Sequence, residues 1–197
     1  MKRVILIGDS IRLNYQDLVR EKLEGECEVL SPKDNCAYTL SSIFHIRRWI
    51  KEMGADHVDL IHWNNGIWEH HRNAEDNEPF STPEIYLSFT KRLHSQLKRY
   101  SDKIIWASTI PAGPNYDPDH HILLTLSRED WNREIALYNG IASAYFKSEG
   151  VPVNDLYRLI DSDPARYTCE DGIHLTDEGK EAAAEQVANA IRKALSL

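Results

Sequence analysis

Five short apolar runs alternate with amphipathic helical patterns along the chain, and this alternation restricts the possible folds more than any other feature. The predicted strands lie at residues 4–7, 27–30, 58–63, 104–107 and 151–153. The predicted helices lie at about 13–25, 41–53, 83–100, 128–149 and 176–195. Continuous apolar strands joined through helices are typical of a parallel sheet covered on both faces. We therefore predict an α/β fold, a three-layer α/β/α sandwich around a five-stranded parallel sheet, in one domain over residues 1–197.

Local signals mark the starts of three of these helices. Thr82 is suited to cap the third helix, with Pro83 at its first position, and Ser127 and Thr176 are suited to cap the fourth and the last. The long segments 31–40, 64–82, 108–127 and 161–175 separate strands from helices. In an open parallel sheet, ligands bind beyond the carboxyl ends of the strands, so we expect the functional residues in these segments.

Charge and composition exclude several classes of function. The chain has 23 Lys and Arg against 31 Asp and Glu, a net charge of −8, which argues against binding to nucleic acid. No apolar run approaches the roughly 18 residues that a membrane span needs. The apolar run at residues 4–7 is too short for a signal peptide, and the three scattered cysteines form no disulfide framework. We expect a cytoplasmic protein that binds neither nucleic acid nor membrane.

Gly8-Asp9-Ser10 follows the first predicted strand directly. A serine at this position lies near the N-terminus of the next helix, where backbone N–H groups and the helix dipole favour negative charge. This environment suits a nucleophile whose attack generates an oxyanion. The alternative is that Ser10 only caps the helix.

Two further segments contain the residue types that a nucleophilic serine requires. Asp171 and His174 lie three residues apart before the last helix, so the carboxylate can orient the imidazole as a base. Asn64 and Asn65 directly follow the third predicted strand, and an asparagine amide can donate to an oxyanion. The alternatives are a surface histidine and an Asn-Gly turn.

Taken together, these segments resemble the SGNH (GDSL-type) hydrolase family over nearly the whole chain. Gly8-Asp9-Ser10 is similar to block I of the family, and the residues from Asp171 to Leu175 are similar to block V. Residues 63–66 stand in the place of block III. The resemblance implies a flavodoxin-like sheet, with Ser10 as nucleophile, His174 as base, Asp171 as its orienting partner and Asn65 as an oxyanion donor.

The chain departs from the family pattern in two blocks. Block II normally supplies a glycine N–H to the oxyanion hole, but residues 35–37 are Asn, Cys and Ala, so either Cys36 or Ala37 is the expected donor. In block III, Trp63 replaces the glycine and Gly66 replaces the final aspartate. Asn64 is therefore an alternative donor, although Asn65 keeps the family's position.

Several more polar and aromatic residues are weaker candidates. The pairs His70-His71 and His120-His121 lack a metal-ligand spacing, and we expect no metal and no organic cofactor. Cys36 and Cys169 are interpreted as free thiols. Four side chains in the long segments either line a substrate pocket or pack the loops onto the body. They are Trp68, His71, Tyr116 and His120.

We therefore expect a serine esterase that hydrolyses short acyl esters, such as acetyl groups on a carbohydrate or a related metabolite. Its partner would be a small-molecule acyl ester. A thioesterase or a lysophospholipase would use the same residues. Two further classes of protein are compatible with the same sheet, namely a catalytically silent binding protein and a nucleotide- or flavin-binding module.

Overall fold

The computed structural model of the protein describes residues 1–72, 75–120 and 126–197. The strands are β1 (Lys2–Ile7), β2 (Cys27–Leu30), β3 (Leu60–Asn64), β4 (Ile104–Ala107) and β5 (Val153–Asn154). The helices are α1 (Ser10–Lys22), α2 (Thr39–Glu52), α3 (Pro83–Leu97), α4 (Arg128–Ser148), α5 (Leu156–Asp161), α6 (Pro164–Tyr167) and α7 (Asp177–Leu195). Short 3-10 helices cover Ile67–His70 and Pro118–His120. None of the helices in these described ranges is long and apolar enough to cross a membrane.

The sheet is parallel, with the strand order β2-β1-β3-β4-β5. This is the order of a flavodoxin-like sheet, and the predicted α/β fold is confirmed. The chain order reverses between β1 and β3, so the segments that leave these two strands diverge and open a crevice at the carboxyl edge. Ile7 pairs with Trp63 at that edge, which brings the residues after both strands together.

Two apolar layers pack against opposite faces of the sheet. Val4 and Leu6 of β1 face one layer with α1 and α7, whereas Ile5 and Ile7 face the other with α2, α3 and α4. Both faces of β1 are thus buried, which explains its continuous apolar run. Thr82, Ser127 and Thr176 cap their helices as predicted, each by accepting a backbone N–H in the first turn.

Some element boundaries differ from the predictions. Helix α1 begins at residue 10 rather than near 13, because Asp9 caps it. Strand β3 begins at residue 60 rather than 58, since the N–H of Val58 donates to the Tyr100 carbonyl outside the ladder. Helices α5 and α6, of six and four residues, were not predicted, because one or two turns are too short to show a helical period.

His62 is a fully buried polar residue in the middle of the central strand. Its Nε2 accepts a hydrogen bond of 3.1 Å from Asn154 Nδ2, and Asn154 Oδ1 accepts one of 2.8 Å from Gln186 Nε2. Burial lowers the pKa of His62 from 6.5 to about 4. The unfolded chain therefore takes up a proton at this residue before the folded protein does.

We predict that this difference lowers the contribution of His62 to the free energy of unfolding as the pH drops from 6.5 towards 4. The loss from His62 alone should be about 3 kcal/mol, and it should be absent in His62→Gln, which keeps an acceptor for Asn154. The buried acids Asp9 and Glu69 act in the opposite direction, because burial raises their pKa values to about 6 and about 7. Both acids are present in the wild type and in His62→Gln. The difference between the free energies of urea unfolding of these two proteins across this pH range therefore reports the contribution of His62. A stability difference that does not change with pH would contradict the prediction.

Candidate active site

Ser10 is the first residue of α1, immediately beyond the carboxyl end of β1. Asp9 precedes the helix, and its Oδ1 accepts the N–H of Ile11 at 3.0 Å. The capping role that the sequence left open for Ser10 is thus performed by Asp9. The first N–H groups of a helix have no partner within it, so Ser10 lies where donors and a positive dipole end converge.

Ser10, His174 and Asp171 form a continuous hydrogen-bonded chain. Ser10 Oγ lies 2.9 Å from His174 Nε2, and His174 Nδ1 lies 2.6 Å from Asp171 Oδ2. An ionised carboxylate only accepts hydrogen bonds, so Nδ1 carries the proton and Nε2 is left to accept from the hydroxyl. The His174 side chain is 40% exposed, so water can reach it.

Asp171 is held as a carboxylate by its surroundings. Burial by itself raises the pKa of Asp171, but hydrogen bonds outweigh it and bring this pKa below the ordinary value. These bonds come from the His174 ring and from the backbone N–H groups of Ile173 and His174, which donate to Oδ1 at 2.8 and 2.9 Å. The carboxylate is thereby oriented with one oxygen on the backbone and the other on the imidazole.

The loop that carries His174 is attached to the helix that carries Ser10. Asn14, one turn after Ser10 in α1, accepts the N–H of Leu175 at Oδ1 over 3.0 Å. The carbonyl of His174 accepts the N–H of Cys169 at 2.7 Å. The loop that carries His174 is therefore held to α1 at two places, by Ser10 and, one turn later, by Asn14.

The segment after β2 reaches the same edge of the sheet. The N–H of Cys36 donates to the Gly8 carbonyl at 3.2 Å, so this donor is already paired within the protein. Ala37 has a φ of +50°, a left-handed conformation that favours glycine. The N–H of Ala37 donates to Asn35 Oδ1 at 2.9 Å, across an exposed turn. Of the two expected backbone donors, Ala37 therefore has the glycine-like conformation. Its N–H is also the one bonded to a side chain in an exposed turn, which another acceptor can replace more easily than the Gly8 carbonyl.

Asn64 and Asn65 are both buried and point to different places. Asn64 Nδ2 donates to the carbonyls of Ala107 and Ser108 at the end of β4, each at 3.3 Å. Asn65 Nδ2 instead donates to the Ala37 carbonyl at 3.0 Å, and Asn65 Oδ1 accepts from the Trp63 indole. The amide of Asn65 thus lies beside the Ala37 turn, whereas that of Asn64 lies towards β4.

Position 66 accommodates only a glycine, for a steric reason. A Cβ at this position would lie 1.9 Å from Thr109 Oγ1. That hydroxyl donates to the carbonyl of Asn65 at 3.1 Å. Only glycine lets Thr109 approach and hold the backbone of the neighbouring asparagine.

A buried arginine fixes the segment between β2 and α2. Arg12 has no exposed surface, and its guanidinium donates to the carbonyls of Pro32 at 3.0 Å, Asp34 at 2.7 Å and Gly8 at 3.2 Å. One side chain therefore ties the end of β1 to the segment that precedes Ala37. Cys36 lies beside it, and burial raises the pKa of the Cys36 thiol. Burial likewise raises the pKa of the Cys169 thiol.

The weaker aromatic candidates belong to one row of ring contacts. Its successive centroid distances are 6.5 Å for Tyr38–Trp68, 4.9 Å for Trp68–His71, 6.2 Å for His71–Trp131 and 5.6 Å for Trp131–Tyr116. Trp68 and His71 are half-buried. Tyr116 is buried, so its ring packs in the core rather than forming an open pocket wall. His120 ends the second 3-10 helix, but its side chain lies outside the described part of the chain.

His70 and His71 form no metal site with other described residues. His70 Nδ1 lies 3.1 Å from Glu134 Oε2, and Arg72 donates to Glu134 Oε1 at 2.5 Å, so His70 belongs to a partly buried hydrogen-bonded cluster. His121 falls outside the described residues. Among the residues that the structure describes, no group of three His, Cys, Asp or Glu side chains could hold a metal ion.

Three residues around the site were not expected from the sequence. Arg12 and Asn14 lie on α1 within one turn of Ser10. The four-residue spacing from Ser10 to Asn14 places both on one face of the helix, which is weak evidence for a role of Asn14 at the site. Glu69 accepts hydrogen bonds from Thr39, which is 30 residues away in sequence. No local pattern reveals that contact.

We predict that Gly172→Ala is far more destabilising than Gly150→Ala. Both glycines have left-handed backbones, with φ of +69° and +70°. A Cβ at Gly172 would lie 2.2 Å from the backbone nitrogen of Tyr116, whereas one at Gly150 meets nothing within 4 Å. Gly150→Ala should cost about 1–2 kcal/mol from backbone strain alone, and Gly172→Ala about 2–5 kcal/mol because the clash adds to it. Chemical denaturation of both variants measures this, and equal losses would contradict the clash.

Known structures with similar folds include several esterases. The chain is similar to a GDSL-like lipase from Bacteroides thetaiotaomicron, with 18% identity, a TM-score of 0.72 and coverage of 98% of this chain and 89% of the lipase. The aryl esterase of M. smegmatis is 18% identical, with a TM-score of 0.73 and coverage of 98% and 99%. A carbohydrate acetylesterase from Sinorhizobium meliloti is 14% identical, with a TM-score of 0.73 and coverage of 98% and 99%. No family model and no curated protein matches the chain. The chain has the fold of these esterases and of the lipase, as the resemblance to SGNH hydrolases implies.

Proposed function

We propose that the protein is a serine esterase of the SGNH type that hydrolyses short-chain acyl esters. The hydrogen-bonded chain from Ser10 through His174 to Asp171 supports this proposal most directly. A serine, a base and an orienting carboxylate within hydrogen-bond reach are the elements of nucleophilic acyl transfer. The fold is shared with a lipase and two esterases, which adds support from structures of the same architecture.

In the proposed reaction, Ser10 Oγ attacks the ester carbonyl while His174 Nε2 takes the hydroxyl proton. The tetrahedral intermediate collapses when the C–O bond to the alcohol breaks and His174 returns the proton to the departing oxygen. Water then attacks the acyl-Ser10 ester with the same base, which releases the carboxylic acid and restores the serine. Asp171 stabilises the imidazolium at each stage and keeps its ring in position.

The developing oxyanion would be stabilised by three donors from three segments. They are the N–H of Ser10 at the start of α1, the N–H of Ala37 and the amide of Asn65. Asn65 Nδ2 already donates to the Ala37 carbonyl, so the two groups lie together. Cys36 contributes less in this proposal, because its N–H is paired with Gly8.

We propose acetyl esters on a carbohydrate or a related metabolite as the substrate class. A carbohydrate acetylesterase among the structures of the same fold supports this choice. The half-buried rings of Trp68 and His71 also support it, since aromatic faces can pack against a sugar ring. A preference for longer acyl chains would indicate a lysophospholipase, and a preference for thioesters would indicate a thioesterase. Both would use Ser10, His174 and Asp171. Hydrolysis of p-nitrophenyl esters and acyl thioesters of increasing length distinguishes them.

We propose the cytoplasm as the location of the protein. Its three cysteines are unpaired thiols. Disulfides persist mainly in oxidising compartments, so unpaired cysteines are compatible with a reducing one.

We predict that Ser10→Ala abolishes ester hydrolysis and labelling by an organophosphonate probe. The thermal unfolding of this variant should stay close to that of the wild type, because a single half-buried hydroxyl is removed. Ser148→Ala removes a surface hydroxyl at the end of α4 and should keep full activity. Wild-type turnover in Ser10→Ala would contradict a serine mechanism. Absence of any Ser10-dependent labelling would favour a silent or nucleotide-binding protein.

We predict that Asn65→Ala lowers kcat by about 10²–10³-fold with little change in KM, as expected for a lost oxyanion donor. Both variants lose buried hydrogen bonds and should each lose about 1–3 kcal/mol of stability, but Asn64→Ala, whose amide is bonded to the end of β4, should keep kcat close to that of the wild type. Separate kcat and KM values and unfolding curves for both variants test this. A larger kcat loss in Asn64→Ala would assign the donor to Asn64.

A further inference from the structure

Glu69 is a buried carboxyl group that the proposed reaction does not use. It lies in the 3-10 helix after β3, and its side chain is 1% exposed. Burying a carboxyl group is costly unless hydrogen bonds compensate, so a fully buried glutamate beside a catalytic edge has a structural or functional cause.

The contacts of Glu69 are concentrated on the start of α2. Glu69 Oε1 accepts the backbone N–H of Thr39 at 2.6 Å and the hydroxyl of Thr39 at 2.5 Å. Thr39 is the first residue of α2, and the side chain of Tyr38 at the capping position does not cap the helix. Glu69 therefore caps α2 from a different segment, where a negative charge also interacts favourably with the helix dipole.

The turn that precedes Thr39 contains Ala37, the proposed oxyanion donor. The segment after β3 holds the carboxyl side of this turn at two points, because Asn65 Nδ2 donates to the Ala37 carbonyl and Glu69 accepts from Thr39. The strained left-handed backbone of Ala37 lies directly before these two attachments. A residue other than glycine keeps such a conformation only when its surroundings impose it.

We propose, building on the proposed function, that Glu69 is a positioning residue that holds the Ala37 N–H in the oxyanion hole by capping α2. Asn65 and Glu69 then act from one short segment, the first on the oxyanion and the turn, the second on the helix that follows the turn. Glu69 itself contacts no reacting atom.

The electrostatic surroundings agree with this role. Burial raises the pKa of Glu69 to about 7, against the hydrogen bonds from Thr39 and with a contribution from the carboxylate of Asp9. Burial raises the pKa values of Tyr86 and Tyr138, and the Glu69 carboxylate adds to both rises. Their hydroxyls donate to the carbonyls of Asn65 and Ser81. Either protonation state of Glu69 leaves Oε1 able to accept from Thr39, so the cap depends on the oxygen rather than on the charge alone.

This distinction allows a sharp comparison of two variants. Glu69→Gln keeps the oxygen acceptor and should retain kcat within about threefold of the wild type. Glu69→Leu has a similar shape without an acceptor, and should lower kcat by about 10–100-fold with KM changed by less than about twofold, short of the 10²–10³ expected for full loss of one donor. Glu134→Leu removes another partly buried acid, in the cluster with His70 and Arg72, and serves as the matched control for destabilisation without a kcat effect.

A double-mutant cycle provides the second measurement. If Glu69 acts through the hole that Asn65 completes, then the losses of kcat in Asn65→Ala and Glu69→Leu should be less than additive when combined. If Glu69→Leu does not fold, Thr39→Val removes one of the two hydrogen bonds and should lower kcat in the same direction by a smaller factor.

The outcomes separate this inference from the proposed function. If hydrolysis by the wild type does not depend on Ser10, the proposed function fails and the inference fails with it. If hydrolysis depends on Ser10 but folded Glu69→Leu keeps wild-type kcat, or loses activity only through KM, the positioning role of Glu69 is overturned alone. Wild-type kcat in Thr39→Val would overturn it in the same way where Glu69→Leu is not folded.

Discussion

The parallel pairing of β1 with β3 determines where each polar group of the site lies. Ile7 pairs with Trp63, so both strands end at one edge. Ser10 lies three residues after Ile7, and Asn65 lies two residues after Trp63. Both faces of these strands are buried. His62 adds a directional contact across the sheet, because its Nε2 accepts from the amide of Asn154 in β5. This polar residue in the central strand therefore favours one register of β3 relative to β5, which end at the same carboxyl edge.

Buried charge surrounds this edge and holds its loops. The Arg12 guanidinium is satisfied largely by backbone carbonyls, and the carboxyl groups of Asp9 and Glu69 each use one oxygen to cap a helix. The second oxygen of each acid is buried without a hydrogen-bond partner among the residues that the structure describes. Such groups lower the stability of the fold compared with apolar residues of similar size. In return, the segments that follow β1, β2 and β3 are joined by directional contacts.

Local sequence patterns predicted the sheet and the three residues that form the hydrogen-bonded chain. Strands and helices follow from periodicity, and Asp171 and His174 belong to one short turn that the chain brings to the carboxyl edge. The patterns could not choose between Cys36 and Ala37, because the pairing of the Cys36 N–H with Gly8 is a tertiary contact. They also could not identify Asn14 or Glu69, whose partners lie in distant segments. Tyr116 was ambiguous for the same reason, since its burial depends on Trp131 and on the close approach of Gly172.

The hydrogen bond from the Ala37 N–H to Asn35 Oδ1 has a consequence for the proposed hydrolysis. In the absence of substrate, this donor is occupied by an amide oxygen of the same loop. An ester carbonyl must displace that oxygen, and a neutral carbonyl gains little from exchanging one uncharged acceptor for another. A full oxyanion gains more, because hydrogen bonds to charged acceptors are roughly twice as strong. Asn35 would thus compete with the substrate for the Ala37 N–H. The ester carbonyl of the ground state would displace Asn35 weakly, whereas the oxyanion of the transition state would displace it readily.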